Sequence, residues 1–511
     1  MNITNGHFHK LLLRKKLFLK LILIIFFTAI IIITAGIIRL NFLNRLNEKT
    51  SCNKCNIIVI DVDSLRADEL SCYGYFRNTT PNICRLAEAG IVFENHFSQS
   101  GWTMPNLFSF LTSLDPNVHN VTNPFLDKLD PRIKTLADIL GENNYTTLWV
   151  GPVTRSTLNQ ENLGLRNFSD IYSDIEGWGK RTKIVAELQN QYKKEGNPFF
   201  IYLFNPGLHF PYPLKSRKVH EWLETLPEDF PVTSDEIDSL SESYLLKYYN
   251  EIFSQIYSSD EKELLSLKEQ LTPRELLDRF RQLTSEDATS INVDRQKLAG
   301  LRQRVHYDSY REFVEQYGSR AAEFTRTVYD VRLNQIDHEM KNFIDFLLSN
   351  NSLLDDTIIV FLSDHGEEFL EHGGFEHHSL YNELLHIPLI IKIPGMKPER
   401  VKWQSQTIDI FPTILNLIGI KAPESIQGRS MAPIVNKEND KYRTIISSNG
   451  GGTAIQDSEW KLIEKYSSGR MQKELYNLFM DPGERSNLLG KFPLVEEKLS
   501  KILKKDKNNR L

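Results

Sequence analysis

The chain has 511 residues, of which 41% are hydrophobic and 25% charged, and a formal net charge of -5 at pH 7. That composition is ordinary for a globular protein, and the slightly acidic balance sets aside a nucleic-acid-binding role. The length suffices for one large α/β domain with additions or for two domains.

From Leu21 to Ile38 every residue is apolar or small, a run long enough to span a bilayer. Lys10, Arg14, Lys15, Lys16 and Lys20 precede it, against Arg39, Arg45 and Lys49 after it, so the charge bias favours a cytoplasmic amino terminus. We therefore expect residues 1–16 in the cytoplasm, a transmembrane anchor at 17–40, a linker at 41–55 and the body of the protein on the extracytoplasmic side. A cleaved signal peptide is the alternative, but the run is longer than the usual apolar region and lacks an Ala-x-Ala site. The four cysteines, Cys52, Cys55, Cys72 and Cys84, all follow closely. Two disulfides, free thiols or a metal-binding Cys52-x-x-Cys55 are open on spacing alone.

Asn56-Ile57-Ile58-Val59-Ile60 reads as the first core strand and runs into Asp61, Asp63 and Asp68. Carboxylates just past a buried strand suit a hard divalent cation, and period-2 alternation points Asp61 and Asp63 the same way if the strand continues. By itself the cluster could equally cap a helix. A turn, a short helix and a glycine stop follow over Thr79 to Gly90. In Thr103-Met104-Pro105-Asn106-Leu107, Pro105 in the first turn of an apolar helix leaves Thr103 near its amino-terminal cap. Free backbone N–H groups there suit a phosphate or sulfate group. The plain reading is that Thr103 only caps.

Thr147 to Val150 and Phe199 to Phe204 read as further core strands, the second delivering His209. From about 214 to 325 the chain turns rich in Glu, Lys, Arg, Leu and Tyr and reads as amphipathic helices, either a lid and acceptor-binding insert or a solvated elaboration. Thr357 to Leu362 is an apolar, β-branched run of the kind buried in parallel sheets, and Asp364 and His365 fall at its carboxyl end. His372, His377 and His378 follow in a Gly-containing loop, before another apolar strand at Ile387 to Ile391. Four histidines within fourteen residues point to ligation rather than packing. Lys461, on a later strand, is expected on an exposed face.

Several of these segments together resemble the sulfatase family of the alkaline phosphatase superfamily: Asn56 to Ile60 with Asp63-Ser64-Leu65-Arg66, Cys72-Tyr73-Gly74-Tyr75, Thr80-Pro81-Asn82-Ile83, Thr103-x-Pro105, Ser363-Asp364-His365-Gly366-Glu367, Gln406 to Thr413, Gln427-Gly428-Arg429-Ser430 and Glu474 to Arg485. The resemblance implies an α/β fold with a mixed sheet sandwiched by helices. It places a catalytic domain at 56–395, with the insert at about 214–325, a small α+β subdomain at 396–495 and a basic tail at 496–511. It also implies a divalent metal (Mn, Zn, Mg or Ca) held by Asp63, Asp364 and His365, with Asp61 a further candidate and Thr103 the metal-bound nucleophile. His209 would contact the transferred or leaving group, His378 matches the histidine near the reacting group, and His377 falls where many sulfatases have Lys.

One departure matters for the chemistry. The family's nucleophile is a Cys or Ser oxidised to formylglycine, whereas a threonine hydroxyl is a secondary alcohol and would give a ketone; the family's Arg is here Leu107. Members with Thr resemble phosphoester hydrolases and transferases, so the sequence points first to phosphate esters, turned over through a phosphothreonine. A sulfuric ester hydrolase and an inactive sulfatase-like binding protein are the alternatives. The expected partners are an ester substrate, such as a lipid head group or surface glycan, and the membrane; nucleic acid is not expected.

Overall fold

The computed structural model describes residues 52, 54–122, 127–152, 168–172, 177–209, 314–315, 318–377, 379–432, 443–467 and 469–509. The anchor expected at 17–40 and most of the insert expected at about 214–325 lie outside the described residues. No helix of the described residues is long and apolar enough to cross a membrane.

In chain order the strands are β1 (Asn56–Val62), β2 (Ile91–Phe93), β3 (His96–Phe97), β4 (Thr146–Val150), β5 (Asp170–Tyr172), β6 (Phe199–Asn205), β7 (Thr357–Leu362), β8 (Glu368–Phe369), β9 (Phe375–Glu376), β10 (Leu389–Lys392), β11 (Glu399–Val401), β12 (Ser405–Gln406), β13 (Ile445–Asn449), β14 (Gly452–Gln456), β15 (Trp460–Ser467) and β16 (Arg470–Asn477). Among the described residues, eight form one sheet in the order β11-β2-β10-β7-β1-β6-β4-β5. β1 runs parallel to both β6 and β7, and β10 is antiparallel to its neighbours β7 and β2, which makes the sheet mixed.

β1 and β7 are buried along their whole length because they are central and covered on both faces, as their unbroken β-branched runs require. Alternation then sorts their side chains. Ile57, Val59, Tyr202, Ile358 and Val360 enter one core with the helices Thr103–Thr112, Leu136–Glu142 and Ile410–Leu417. Ile58, Ile60, Ile201, Ile359 and Phe361 enter the other, with the helices Trp178–Glu195 and Ala321–Ser349. The sheet is thus sandwiched by helices. Asp337 of the long helix accepts bonds from the Asn82 and Ile83 backbone N–H groups, which tethers the turn before the helix Cys84–Ala89.

β13 to β16 form a separate antiparallel meander. The helix Pro493–Asn509 covers it by burying Leu499 and Leu503 against Ile455, Leu462 and Leu475. Lys461, expected on an exposed face, is instead fully buried and paired with Glu484 at 2.8 Å. It donates to Asn382 Oδ1 as well, so its side of β15 faces the segment after His377 rather than water. Disulfides join Cys52 to Cys55 and Cys72 to Cys84, which uses all four thiols.

Candidate active site

The parallel register of β1 and β7 pairs Asp61 with Leu362, so two residues further on Asp63 comes level with Asp364. Open α/β sheets hold ligands at this carboxyl edge. The two strands end in a cross-link: Ser64 N–H and His365 N–H both donate to Asp364 Oδ1, at 3.2 and 2.9 Å. Ser64 reaches that position in the left-handed region at φ 61°, a strained conformation for a residue other than glycine. Its carbonyl is held in turn by the Tyr329 hydroxyl at 2.8 Å.

His365 is oriented from behind. Its Nδ1 lies 2.7 Å from the Gly366 carbonyl, so Nδ1 carries the proton and Nε2 presents a lone pair. That Nε2 stands 3.1 Å from Thr103 Oγ1, 3.4 Å from Asp63 Oδ1 and 3.6 Å from Asp364 Oδ2. Thr103 is the first residue of its helix, with Trp102 as the cap, so it begins the helix rather than capping it. It is buried, at 8% exposure.

Asp63, Asp364 and His365 are the one trio among the described residues whose ligand atoms converge within 4.8 Å. Burial pushes the Asp61 and Asp63 carboxyls well above the usual carboxylate range, and the Asp364 charge pushes them further. No Lys or Arg among the described residues forms an ion pair with these acids, and the Asp364 Oδ2 and Asp61 Oδ1 oxygens are buried without a hydrogen bond. Buried carboxylates in that state call for a cation, and an oxygen, oxygen, nitrogen donor set suits Ca, Mn, Mg or Zn. Asp61, named from sequence as a further ligand, is outside the trio. Its Oδ2 accepts the Tyr202 hydroxyl at 2.6 Å, and Tyr202 is itself stacked on Trp149.

His377 lies between His365 and His209, with ring centroids 4.7 and 5.0 Å away. Three imidazoles therefore run outward from the carboxylates. His209 is brought there by the turn Pro206–Leu208 after β6, which Asn205 Oδ1 caps and the buried Arg332 guanidinium grips through the Gly207 carbonyl at 2.7 Å. His378 lies outside the described residues. Leu107, at the family's arginine position, is 2% exposed and packs in the sheet core.

Sequence reasoning missed Asn106, Tyr202 and Arg332, which hold the reactive groups from behind. Only Asn106 carried a usable signal, since a polar residue three after Thr103 returns to the same helix face.

Comparison with known proteins bears on this geometry. The sequence matches the family model for sulfatases over residues 55–420 and that for the N-sulphoglucosamine sulphohydrolase C-terminal region over 370–509. Arylsulfatase K of Xenopus laevis is 22% identical over 465 residues, covering 83% of this chain and 77% of that protein. Arylsulfatase K of Mus musculus is 30% identical, over 30% of each chain. A solved structure in complex with its substrate D-glucosamine-2-N,6-O-disulfate superposes with a TM-score of 0.62 at 20% identity, covering 90% of this chain and 98% of that one. The phosphonate monoester hydrolase of Agrobacterium radiobacter gives 0.59 at 16% identity, with 89% and 96% covered.

Proposed function

The chain belongs to the sulfatase family of hydrolases, and from that membership we propose that it is a metal-dependent hydrolase of sulfate esters with Thr103 as its nucleophile. The observation that carries this reading is the convergence of Thr103 Oγ1, His365 Nε2 and the Asp63 and Asp364 carboxylates at one sheet edge. The arylsulfatase K relatives support sulfate as the group removed. The solved structure bound to a disulfated glucosamine suggests a sulfated sugar as the natural substrate.

Asp63, Asp364 and His365 would hold the divalent cation, whose charge, when bound, lowers the hydroxyl pKa and offsets negative charge on the ester oxygens. The residues do the rest. The Thr103 hydroxyl, 3.1 Å from His365 Nε2, would attack the sulfur as its proton passes to the His377–His209 imidazole pair; the bond from sulfur to the alcohol oxygen breaks, and the same imidazole pair passes that proton on to the departing oxygen. His377 and His209, packed ring against ring beside His365, would contact the group in transfer. Water then cleaves the threonine ester, releasing the anion and restoring the hydroxyl. Asp61, tied to Tyr202, sits behind these groups and adds negative charge that favours cation uptake.

Thr103 itself favours a second reading, phosphate-ester hydrolysis or transfer, because a threonine ester lacks the aldehyde-hydrate route by which formylglycine sheds sulfate. The apolar run at Leu21 to Ile38 and the two disulfides support a body held outside the cytosol by an amino-terminal anchor. The division into a catalytic domain at 56–395 and a C-terminal subdomain at 396–495 belongs to the same proposal.

The test is turnover of an aryl sulfate, an aryl phosphate monoester and an aryl phosphate diester by the full chain loaded in turn with Ca, Mn, Mg and Zn, for wild type and Thr103→Ala. Dominant sulfate turnover that falls at least ~1,000-fold in the variant supports the reading. Dominant phosphoester turnover moves the assignment to the second reading, and a fully active Thr103→Ala removes the nucleophile.

A further inference from the structure

We propose that Asn106 is a positioning residue: its side chain fixes the nucleophile helix against the strand end that carries the metal ligands, and so sets where Thr103 stands relative to Asp364 and His365. This rests on the reading of Thr103 as nucleophile given above. Asn106 lies three residues after Thr103, on the same helix face, and is 1% exposed. Its amide is used at both ends. Nδ2 donates to the Asp364 carbonyl, and Oδ1 accepts the Gln99 N–H at 2.8 Å.

The Asp364 carbonyl belongs to the peptide unit whose N–H is that of His365, and that N–H donates back to Asp364 Oδ1. Asn106 therefore grips the peptide that joins the two ligands. A rotation of this peptide would move Asp364 Oδ1 and the His365 ring together, and with them the 3.1 Å contact from Nε2 to Thr103 Oγ1. Gln99 is anchored in turn to the carboxyl-terminal meander: its carbonyl accepts the Ser448 N–H at 2.7 Å, and its Nε2 donates to the Ile446 carbonyl at 2.8 Å. A continuous hydrogen-bonded path thus runs from β13 through Gln99 and Asn106 to Asp364. A buried asparagine kept only for packing has no reason to bond to the peptide between two ligands.

Two variants separate position from stability. Asn106→Leu keeps the size and adds no charge but removes both bonds; Asn106→Asp keeps the acceptor for Gln99 and loses the donor to Asp364. Circular dichroism and a thermal melt establish that each is folded. Isothermal calorimetry gives the Mn²⁺ dissociation constant, and initial rates on the aryl ester that wild type turns over fastest give kcat and KM. We expect the Mn²⁺ constant of Asn106→Leu to rise by about 10-fold, as removal of a group supporting a metal ligand commonly does. We expect kcat to fall by roughly 30- to 100-fold in both variants with KM within about threefold, the signature of a misplaced reacting group. Folded variants that keep both the Mn²⁺ constant and kcat within about threefold of wild type overturn the proposal, whatever their melting temperatures. If Asn106→Leu does not fold, Asn106→Asp decides by the same readings. If wild type turns over none of the esters, that failure belongs to the proposed reaction, and the Mn²⁺ constants alone decide the role of Asn106.

Discussion

Lys461 and Glu368 are buried ionisable side chains whose partners and protonation bear on stability. The Lys461 ammonium and the Glu484 carboxylate are both fully buried, 2.8 Å apart, and the Asn382 N–H also donates to Glu484. Removing one partner leaves an uncompensated charge in a dry site, so Lys461→Met should cost about 3–5 kcal/mol, read as a lowered urea midpoint. The double variant Lys461→Met with Glu484→Gln should recover a good part of that loss. Glu368 is the titrating counterpart. Burial, against a hydrogen bond from Ser379 and with the help of the Glu383 and Glu371 charges, pushes its carboxyl up from 4.5 to about 7. The folded protein thus keeps a proton that the unfolded chain loses near 4.5, so this group's contribution to stability is present below that pH and is lost as pH rises towards 7. Glu368→Gln should flatten the dependence of melting temperature on pH across that window, and an unchanged profile would show that the carboxyl is not so displaced. At Thr103, by contrast, the residue type limits the chemistry: a secondary alcohol is not oxidised to the aldehyde that formylglycine carries.

At the scale of elements, glycine fixes how the metal-ligand strand meets the loop beyond it. A Cβ built on Gly366 would stand 1.9 Å from the Glu383 carbonyl, a clash of backbone against backbone that no rotamer relieves. Gly366→Ala must therefore push the turn at Asn382–Leu385 away from the ligand strand, and we expect a loss above ~3 kcal/mol together with weakened Mn²⁺ binding, measured by thermal melt and calorimetry. The strands that build the site were legible because they are central: β1, β6 and β7 are apolar along nearly all of their length, and their ligands sit at the ends where the runs stop. The structure brings together Asp63, Asp364, His365 and Thr103, all named from the sequence, and sets His377 and His209 beside them. Asp61 stands outside the convergent trio, its Oδ2 bonded to Tyr202, because alternation gives the face a side chain points to and not its depth. Lys461 was misread because polarity on a strand was taken for exposure, when the pairing acid arrives from a turn more than twenty residues further along the chain. Neither point could be read without knowing which elements pack together, and periodicity carries no such information.

At the scale of the molecule, the site stores repulsion that a cation relieves. With Asp61, Asp63 and Asp364 buried together, chelation with EDTA should lower the melting temperature, and adding back Mn²⁺ or Ca²⁺ should restore it. A metal at about 100 times its dissociation constant stabilises by about 2.7 kcal/mol. The two conditions should differ in sign with pH. Without metal, the raised Asp61 and Asp63 carboxyls hold protons that the unfolded chain releases, so stability falls as pH rises from the ordinary carboxylate range; with metal, proton release favours binding and the trend reverses. A chelated protein with an unchanged melting curve at neutral pH would show that the trio holds no cation.

The central place of β1 also governs the order of events when the chain is made. The residues that close the site, Ser64 and Asp364, are 300 positions apart, and β1 finds one neighbour in β6 and the other only in β7. During synthesis the first strand must wait with an apolar edge unpaired until about 70% of the polypeptide has been made, a long interval for contacts this distant in sequence. A chain truncated before Thr357 would leave β1 as an apolar open edge beside β6, so we expect such a fragment to aggregate where the full chain does not.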